Sequence, residues 1–426
     1  MKVYYSLYSR MFDIQWLYNG FKKVWKSKGA AGIDGQSLSD YALNLDNNLK
    51  QLQHELQTKQ YEPQAVKRVE IPKEGCGVRL LGIPAVRDRI VQQVLLDILQ
   101  PIFDPTFHPS SYGYRPKRSC HDAISKATLF IRKYDRRWVV DMDLSKCFDR
   151  LDHQLIIEGV KRRVTDGSIL NLLRRFLCSG VMVGNQWEAS EIGSPQGGVI
   201  SPLLANIYLD VFDQEMKRRE HRLVRYADDI LILCNSLSAA ENALKSATHI
   251  LEVDLKLTVN RDKTHIAHSD NGVKFLGVKI GSQYTKIQAK KLKNFKQKVK
   301  QLTRRNGGEN VSEIIRALNP VVRGFANDFS IANCSSDFNN LSGWIRRRLR
   351  AVQLKLWKRP MRLHRRLKEL KYKPPFKYIK MNSWRNSASP LASFAMPNAW
   401  FDELGLYSME NIKTGWLVAS IYRQGK

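Results

Sequence analysis

Residues 222–233 read Arg-Leu-Val-Arg-Tyr-Ala-Asp-Asp-Ile-Leu-Ile-Leu. Two apolar runs, residues 223–224 and 230–233, flank a polar centre and predict a β-hairpin with Asp228 and Asp229 at its tip. Adjacent carboxylates repel each other, so such a tip is costly unless a cation neutralises it. Carboxylate oxygens suit Mg²⁺, which commonly holds a phosphate as well. An ordinary polar turn is the alternative, and for this stretch alone it is the better interpretation.

The composition favours a nucleic-acid partner. The chain has 426 residues, enough for two or more domains, and its 43% hydrophobic content is typical of folded proteins. Its 70 Lys and Arg residues against 40 Asp and Glu residues give a formal net charge of +30. A charge that large indicates a polyanionic partner, with nucleic acid the first candidate. A basic protein of the membrane surface is the alternative, but no lysine-rich amphipathic helix with a clean apolar face is evident.

The cysteine pattern and the N-terminus predict a soluble intracellular protein. The cysteines are scattered without a Cys-x-x-Cys pair, which argues against a zinc ribbon and against a disulfide framework. They are Cys76, Cys120, Cys147, Cys178, Cys234 and Cys334. Residues 1–5 lack the apolar core of a signal peptide, and no apolar run of about 18 residues could span a membrane.

A second acidic element lies at residues 138–144, Trp-Val-Val-Asp-Met-Asp-Leu. The alternation predicts a strand with Asp141 and Asp143 on the same face. Two acids on one strand face are unexpected unless that face meets water or a metal ion. Periodicity leaves open whether Asp141, Asp143 or Asp149 would be the ligand. Phe148 follows Asp143 by five residues.

The N-terminal part of the chain is predicted to be helical. Residues 1–60 look helical and basic, with a leucine stripe at helical spacing that indicates packing. The stripe consists of Leu45, Leu49, Leu52 and Leu56. A later helix is expected over residues 88–99, ending before Pro101. In the loop that follows, residues 108–116, the tyrosines and Arg115 are expected to stack on bases, to grip phosphates or to pack internally.

Three further segments carry candidate substrate-binding residues. Residues 66–84 predict a β-hairpin with Lys73 and Arg79 close to its turn; these cations either clamp a triphosphate or are solvated. Residues 193–206 form a glycine-rich turn, containing Gln196, that opens an apolar helix running to about residue 216. Such a turn lets backbone N–H groups approach a nucleotide. Lys263 follows further along the chain.

Acidic residues almost disappear beyond residue 285. Residues 286–305 carry nine Lys or Arg and no Asp or Glu, and residues 341–380 carry fifteen Lys or Arg against one Glu. Four aromatic residues are interleaved in the second segment, namely Trp344, Trp357, Tyr372 and Tyr378. A solvated charged face normally mixes both signs. The pattern therefore favours contacts with a phosphate backbone, which release counterions.

These elements follow the order of a reverse-transcriptase palm, and the sequence resembles the reverse transcriptase/maturases encoded by bacterial group II introns. The palm and fingers segments that carry the resemblance are Gly32-Ile-Asp-Gly35, Pro72-Lys73, Arg79, Gly82-Ile-Pro84, Ser111-Tyr-Gly-Tyr-Arg-Pro116, Asp143-Leu-Ser-Lys-Cys-Phe-Asp149, residues 195–206, Tyr226-Ala-Asp-Asp229 and Phe275-Leu-Gly-Val278. Residues 318–358 resemble the maturase domain. The similarity covers residues 20 to 365 and continues weakly to about residue 412.

The resemblance implies a two-metal polymerase site. Asp143 and Asp228, assisted by Asp229, would hold two Mg²⁺ ions, with Mn²⁺ as an alternative metal. One ion would activate the primer 3′-hydroxyl and the other would neutralise the triphosphate. Lys263 would protonate the pyrophosphate leaving group. Asp141 precedes the matching motif position and is not included.

The resemblance also implies substrate and nucleic-acid contacts. Phe148 would exclude a 2′-hydroxyl and so select deoxynucleotides. Lys73 and Arg79 would bind the triphosphate, and Gln196 would line the nucleotide pocket. The candidate nucleic-acid-binding residues are Arg115, Lys290, Lys291, Arg346, Arg347, Arg348, Arg350 and Lys358.

The implied fold is an α+β right-hand polymerase with fingers and palm, followed by an α-helical thumb/maturase domain. We expect an N-terminal extension (1–60), fingers and palm (61–284), thumb/maturase (285–365) and a basic C-terminal nucleic-acid-binding tail (366–426). The implied function is RNA-directed DNA synthesis, together with binding of intron RNA to assist splicing and with retrohoming by target-primed cDNA synthesis. The expected partners are intron RNA, RNA template, DNA target or primer and dNTPs, with no membrane partner; a homodimer is left open.

The sequence departs from its relatives in two ways and leaves two alternatives open. No cysteine follows Cys334 and only His364 follows among histidines, so we expect the Cys/His endonuclease of many relatives to be absent. The glycine turn ends Ser201-Pro202 rather than Ser-Gln, which disfavours a diversity-generating retroelement enzyme. The alternatives are a domesticated relative in phage defence or DNA repair, and an RNA-binding splicing factor with a vestigial palm. A bacterial cytoplasmic protein associated with nucleoid or ribonucleoprotein is expected.

Overall fold

The computed structural model describes residues 2–72, 78–184, 186–189, 192–193, 197–374, 376 and 386–416, with every side chain among them except that of Arg79. The chain separates into two units, residues 1–268 and 269–426. Each unit buries its own set of apolar side chains.

The first unit combines helices and strands, as the predicted α+β class requires. Its helices are α1 (Ile14–Ser27), α2 (Leu38–Leu43), α3 (Leu45–Gln57), α4 (Val86–Phe103), α5 (Cys120–Arg132), α6 (His153–Lys161), α7 (Gly167–Leu177), α8 (Ser201–Arg218) and α9 (Leu237–His249). Its strands are β1 (Val66–Pro72), β2 (Val78–Ile83), β3 (Trp138–Met142), β4 (Val181–Val183), β5 (Gln186–Glu188), β6 (Arg222–Tyr226), β7 (Asp229–Cys234) and β8 (His265–His268).

The N-terminal region is helical, as predicted from the leucine stripe. Leu49, Leu52 and Leu56 of α3 are buried in the core of the first unit, and Leu45 packs partly against it. The burial of one helix face explains why this hydrophilic helix is stable within the unit.

Helix α4 is longer than its sequence suggests. It runs from Val86 to Phe103 with Pro101 inside it, so the prediction that the helix ends before Pro101 is wrong. Proline removes one backbone donor, which costs one hydrogen bond in the last turn. The helix continues past this point because Ile102 and Phe103 are buried in the core.

A four-stranded sheet in the order β2-β1-β4-β5 follows the N-terminal helices in the fold. β1 and β2 pair antiparallel from Lys67 with Ile83 to Pro72 with Val78, which confirms the predicted hairpin. β1 also pairs in parallel with β4, which in turn pairs with β5 and completes the sheet.

A second four-stranded sheet, in the order β6-β7-β3-β8, is antiparallel throughout. Helices α5 and α9 pack against it, and α8 contacts β6. Val139, Val140 and the residues 230–232 are fully buried, which is why these runs are apolar at consecutive positions. The sheet therefore provides a rigid base for residues at the ends of its strands.

The second unit is mainly helical, as predicted for the region after the palm. Its strands are β9 (Val273–Phe275), β10 (Val278–Ile280) and β11 (Thr285–Ile287), in the order β11-β10-β9. Its helices are α10 (Ala289–Leu302), α11 (Val311–Phe329), α12 (Ser335–Trp357), α13 (Pro360–Glu369), α14 (Pro390–Ala395) and α15 (Asn398–Glu403). Phe295 stacks on Phe325 with ring centroids 4.1 Å apart, joining α10 to α11. In the described part of both units, no helix is long and apolar enough to cross a membrane.

Candidate active site

The Asp-Asp pair lies at the tip of the β6–β7 hairpin, as predicted. Tyr226 pairs with Asp229, so Ala227 and Asp228 form the connection between the strands. Ala227 has a φ of 57°, in the left-handed region that is strained for alanine. A tight turn of this kind directs the two acidic residues outward from a buried sheet.

Asp143 joins the pair because of the strand register. β3 pairs with β7 up to Met142 opposite Ile230, and the next step of this register sets Asp143 opposite Asp229. Desolvation, followed by the charges of Asp228, Asp141 and Asp143, raises the pKa of Asp229 to about 6, and the charge of Lys263 opposes the shift. Asp229 remains exposed to solvent, so repulsion by the neighbouring carboxylates contributes to its raised pKa together with partial desolvation.

Two neighbours hold the Asp143 carboxylate. Lys263 Nζ and Asn260 Nδ2 each donate to Asp143 Oδ2 over 3.0 Å. The backbone N–H of Asn260 also donates to the carbonyl of Asp143 over 2.8 Å. The sequence predicted a role for Lys263 but not for Asn260, although Asn260 lies in the same turn three residues earlier.

The carboxylates at the ends of β3 and β7 suit a hard divalent cation. Carboxylate oxygens from Asp143, Asp228 and Asp229 are the ligand type that Mg²⁺ prefers. Within the described ranges, however, no group of three or more acidic, histidine or cysteine side chains is arranged to hold a metal by itself. Mg²⁺ commonly binds through one or two carboxylates and takes its remaining ligands from substrate phosphates and water, so an incomplete protein cage still fits it.

The loop of residues 108–116 packs beside the hairpin. The amide of Tyr112 donates to the carbonyl of Arg225 and the amide of Arg225 donates to the carbonyl of Ser110, both over 2.9 Å. These bonds add the loop to β6 as a short parallel bridge. At Gly113, a Cβ would lie 2.3 Å from the amide nitrogen of Ala227, so only glycine fits without displacing the turn.

Arg115 is an internal brace of this loop. Its guanidinium donates to Asp104 Oδ1 and to the carbonyls of Asp104, His108 and Ser111, over 2.7 to 3.0 Å. Its side chain is 5% exposed. The expected contact of Arg115 with nucleic acid is therefore corrected, because the donors are already used within the protein.

A buried network of polar side chains stabilises the turn that carries Asp228. Arg225 and Asp213 are fully buried and form a bidentate ion pair, with Arg225 Nη2 donating to Asp213 Oδ2 over 2.6 Å. Arg225 Nη1 also donates to Asn206 Oδ1 and to the carbonyl of Ala227, each over 3.0 Å. Asn206 Nδ2 donates to the carbonyl of Gly113 over 2.9 Å.

Sequence reasoning gave these residues no role, although the sequence contains two signals for them. Arg225 is a charged residue within an apolar strand, and a buried charge requires a partner. Asn206 and Asp213 are seven residues apart on an apolar helix and so share one face.

Phe148 lies in the turn Cys147–Arg150 that follows β3. It is 8% exposed and its ring meets that of Tyr114 edge-on, with centroids 6.1 Å apart. The turn therefore places an aromatic side chain close to the end of the strand that carries Asp143.

Two of the four predicted nucleotide contacts, Lys73 and Gln196, lie outside the described residues. The backbone of Arg79 belongs to β2 and pairs with Ile71. Gly197, next to Gln196, has a φ of 122°, and a Cβ there would lie 2.2 Å from the carbonyl oxygen of Gly82. The glycine turn therefore packs directly on the strand that carries Arg79.

The predicted nucleic-acid contacts of the second unit fall into three groups, which are buried, half-buried and exposed. Arg346 bonds to Glu410, and Arg350 donates to the carbonyl of Met396 and to Asn398 Oδ1. Both arginines are buried, so their expected role in binding nucleic acid is corrected to an internal one. The half-buried Arg348 donates to Thr303 through Nε and Nη2. The exposed group consists of Lys290, Lys291, Arg347 and Lys358.

Comparison with known proteins identifies related families and sequences. Residues 71–280 match the family model "Reverse transcriptase (RNA-dependent DNA polymerase)", and residues 292–371 match "Group II intron, maturase-specific domain". Protein YkfC of Escherichia coli is 36% identical over 305 residues, 62% of this chain and 80% of YkfC. The group II intron-encoded protein LtrA of Lactococcus lactis is 28% identical over 346 residues, 66% of this chain and 57% of LtrA. A telomerase structure from Candida albicans aligns over 75% of this chain and 66% of its own, with 14% identity and a TM-score of 0.42.

Proposed function

The chain belongs to the reverse transcriptases that carry a group II intron maturase-specific domain, and we propose that Asp143, Asp228 and Asp229 are its catalytic carboxylates. Its enzymatic activity is RNA-directed DNA polymerisation. The observation that carries the proposal is that these carboxylates lie close together at the neighbouring ends of β3 and β7, where the pKa of Asp229 is raised to about 6. Such crowding of negative charge is offset when a cation binds.

The chemistry follows from these residues. The 3′-hydroxyl of the primer loses its proton to water as its oxygen bonds to the α-phosphorus of a dNTP, and the bond between that phosphorus and diphosphate breaks. Two Mg²⁺ ions, when held by these carboxylates, supply charge that stabilises the entering and leaving oxygens. Lys263 orients Asp143 and, by the family resemblance, gives a proton to the departing diphosphate. Asn260 holds the same carboxylate oxygen, so Asp143 keeps its orientation when Lys263 turns to the substrate.

The nucleotide pocket is proposed around Phe148. Its ring, supported edge-on by Tyr114, would meet the sugar and exclude a 2′-hydroxyl. By the resemblance, Lys73 and Arg79 of the fingers hairpin would bind the triphosphate, with Gln196 beside the base. The close packing of Gly197 on Gly82 supports this arrangement, because it brings the glycine turn next to the hairpin.

The second unit is proposed to bind intron RNA, which would assist splicing and support cDNA synthesis at a DNA target. The exposed Lys290 and Lys291 of α10 and Arg347 and Lys358 of α12 and its end support this, since they present cations to solvent. Arg115, Arg346 and Arg350 are left out because their donors serve internal bonds.

Several finer points belong to the same proposal. The boundaries of the extension (1–60), fingers and palm (61–284), thumb/maturase (285–365) and tail (366–426) stay predictions. So do a homodimer and a bacterial cytoplasmic location on nucleoid or ribonucleoprotein.

Primer extension tests the proposed site. The intact protein is supplied with an RNA template, a DNA primer, dNTPs and Mg²⁺, beside the Asp228→Ala/Asp229→Ala variant. We expect extension by the intact protein and none by the variant. Extension by both proteins would refute the assignment of these carboxylates.

A further inference from the structure

A cavity of about 370 Å³ lies in the first unit at the far end of the β6–β7 hairpin. Its walls come from α5 and the residues after it, from the end of α8, from the start of β6 and from residues 108–110. Arg222 at the cavity and Tyr226 at the turn are the two ends of β6. Four strand steps separate them by roughly 13 Å. The cavity is thus distinct from the candidate active site.

The cavity is lined by uncompensated positive charge. Lys126, Arg136, Lys217 and Arg222 line it, and none of the described lining residues is acidic. Across the described part of the chain, none of these four cations forms an ion pair with a carboxylate. Desolvation, followed by the charge of Arg222, lowers the pKa of Lys126. Cations gathered without a counter-charge are unfavourable until an anion enters.

Two aromatic side chains lie beside these cations. The rings of Phe130 and Tyr134 lie with centroids 6.1 Å apart, and Lys126 Nζ lies 4.9 Å from the Phe130 centroid. Tyr134 is 53% exposed, so part of its ring is open to a ligand. Cations next to an accessible aromatic ring are typical of sites that hold a phosphate while a base stacks.

We propose that this cavity binds a nucleotide, with its phosphate among Lys126, Arg136, Lys217 and Arg222 and its base against Tyr134. The cavity volume lies within the roughly 300–1,000 Å³ of small-ligand sites. The nucleotide is either free or part of a bound RNA strand; the second source rests on the proposed RNA-binding function. In both cases the recognised group is the phosphate with an adjoining base.

The test compares two charge-matched variants of the full chain. Lys126→Gln/Arg222→Gln removes two cations of the cavity. Arg174→Gln/Lys245→Gln removes two exposed cations of the same unit that do not line the cavity. Binding of 5′-AMP is measured by calorimetry, and binding of a labelled 12-nucleotide single-stranded RNA by fluorescence anisotropy, both without Mg²⁺ and dNTPs. We expect the cavity variant to bind at least one probe about tenfold or more weakly, and the control variant to bind both nearly as the intact chain does.

The outcomes distinguish a site for a free nucleotide from a site for a nucleotide within an RNA strand, and both from the absence of a nucleotide site. Weaker binding of AMP identifies a free nucleotide, and weaker binding of RNA alone identifies a nucleotide within a strand. Tyr134→Ala, which changes no charge, is expected to weaken binding of the affected probe about fivefold or more while leaving inorganic phosphate unaffected. Equal affinities of the cavity and control variants for both probes overturn the proposal, provided that thermal unfolding shows both to be folded. Because no polymerisation is needed, this failure would leave the polymerase site untouched, and a failure of primer extension would leave the cavity untouched.

Discussion

Gly113 lies against the backbone of Ala227, so that a Cβ at position 113 would be 2.3 Å from the Ala227 amide nitrogen. Ala227 precedes Asp228 and holds a φ of 57°. The position of the Asp-Asp turn is therefore fixed by a glycine from another loop, and that loop is bonded to β6 through Tyr112. The carboxylates proposed to be catalytic depend on a backbone contact that no charge pattern reveals.

Replacing Gly113 with alanine tests this contact. The added methyl group must displace the turn, and a misplacement of about 1 Å can cost roughly 100-fold in rate. We expect Gly113→Ala to lower single-turnover primer extension on that scale while primer-template affinity changes little. Gly167→Ala is the control, because a Cβ there meets nothing within 4 Å. Full activity of Gly113→Ala would show that the turn adapts and that the contact is not needed.

The role of Lys263 is separable from an ordinary surface ion pair. Lys263 bonds to Asp143 over 3.0 Å, and Lys256 bonds to Asp152 over 2.7 Å with similar exposure. Exposed pairs contribute only about 0–1 kcal/mol to stability, so both Lys→Gln variants are expected to unfold at similar temperatures. We expect Lys263→Gln to reduce the polymerisation rate about 100-fold or more, as loss of a positioned proton donor does. An equal effect of Lys256→Gln on the rate would contradict a specific role.

The buried pair of Arg225 and Asp213 offers a double-mutant cycle. Breaking such a pair leaves an uncompensated buried charge, which costs about 3–5 kcal/mol. We expect Arg225→Met to lower the free energy of unfolding by this amount, and Arg225→Met/Asp213→Leu to recover much of the loss. Urea unfolding of four proteins, the intact chain, Arg225→Met, Asp213→Leu and the double variant, measures the coupling. Additive losses would show that the two residues do not act as a pair.

Asp88 predicts a pH dependence of stability. Its side chain is 1% exposed and accepts from Tyr61 Oη, and desolvation raises its pKa to about 6 from 3.8. Between about pH 4 and pH 6 the folded state keeps a proton that the unfolded state has lost, so stability falls as pH rises through this window and levels off above it. The change amounts to about 3 kcal/mol for a two-unit shift.

Thermal unfolding of the intact chain and Asp88→Asn at several pH values isolates this contribution. The asparagine cannot titrate, so the difference in stability between the two proteins is expected to change between about pH 4 and pH 6. A constant difference across this range would mean that Asp88 is not protonated in the folded protein.

The hairpin and the acidic strand were predictable because their signals are local. The alternation in residues 138–144 specifies a strand, and the apolar runs on each side of Asp228 and Asp229 specify two strands and a turn; the structure has all of these. The extent of α4 was not predictable, because the burial of Ile102 and Phe103 outweighs the local effect of Pro101. Local propensity yields to tertiary packing at such ends.

Whether each arginine faces solvent or forms bonds inside the protein could not be predicted from sequence. Arg346 and Arg347 are adjacent, yet the first is buried against Glu410 and the second is exposed. A basic run on a helix presents its charges to several faces, and only packing decides which of them face solvent. The same reasoning applies to Arg115 and Arg225, whose partners are distant in sequence or on other elements.

Single-turnover primer extension with Asp143→Asn tests the central claim most directly. Asparagine keeps the shape of the side chain and its capacity to accept from Asn260 and Lys263, but it removes the charge that would hold a metal ion. Asp262→Asn, at an exposed position beside Lys263, is the control. We predict that Asp143→Asn lowers DNA synthesis on an RNA template about 1,000-fold or more while Asp262→Asn stays near the intact rate. Synthesis by Asp143→Asn at the intact rate would contradict the assignment of the active site to this sheet edge.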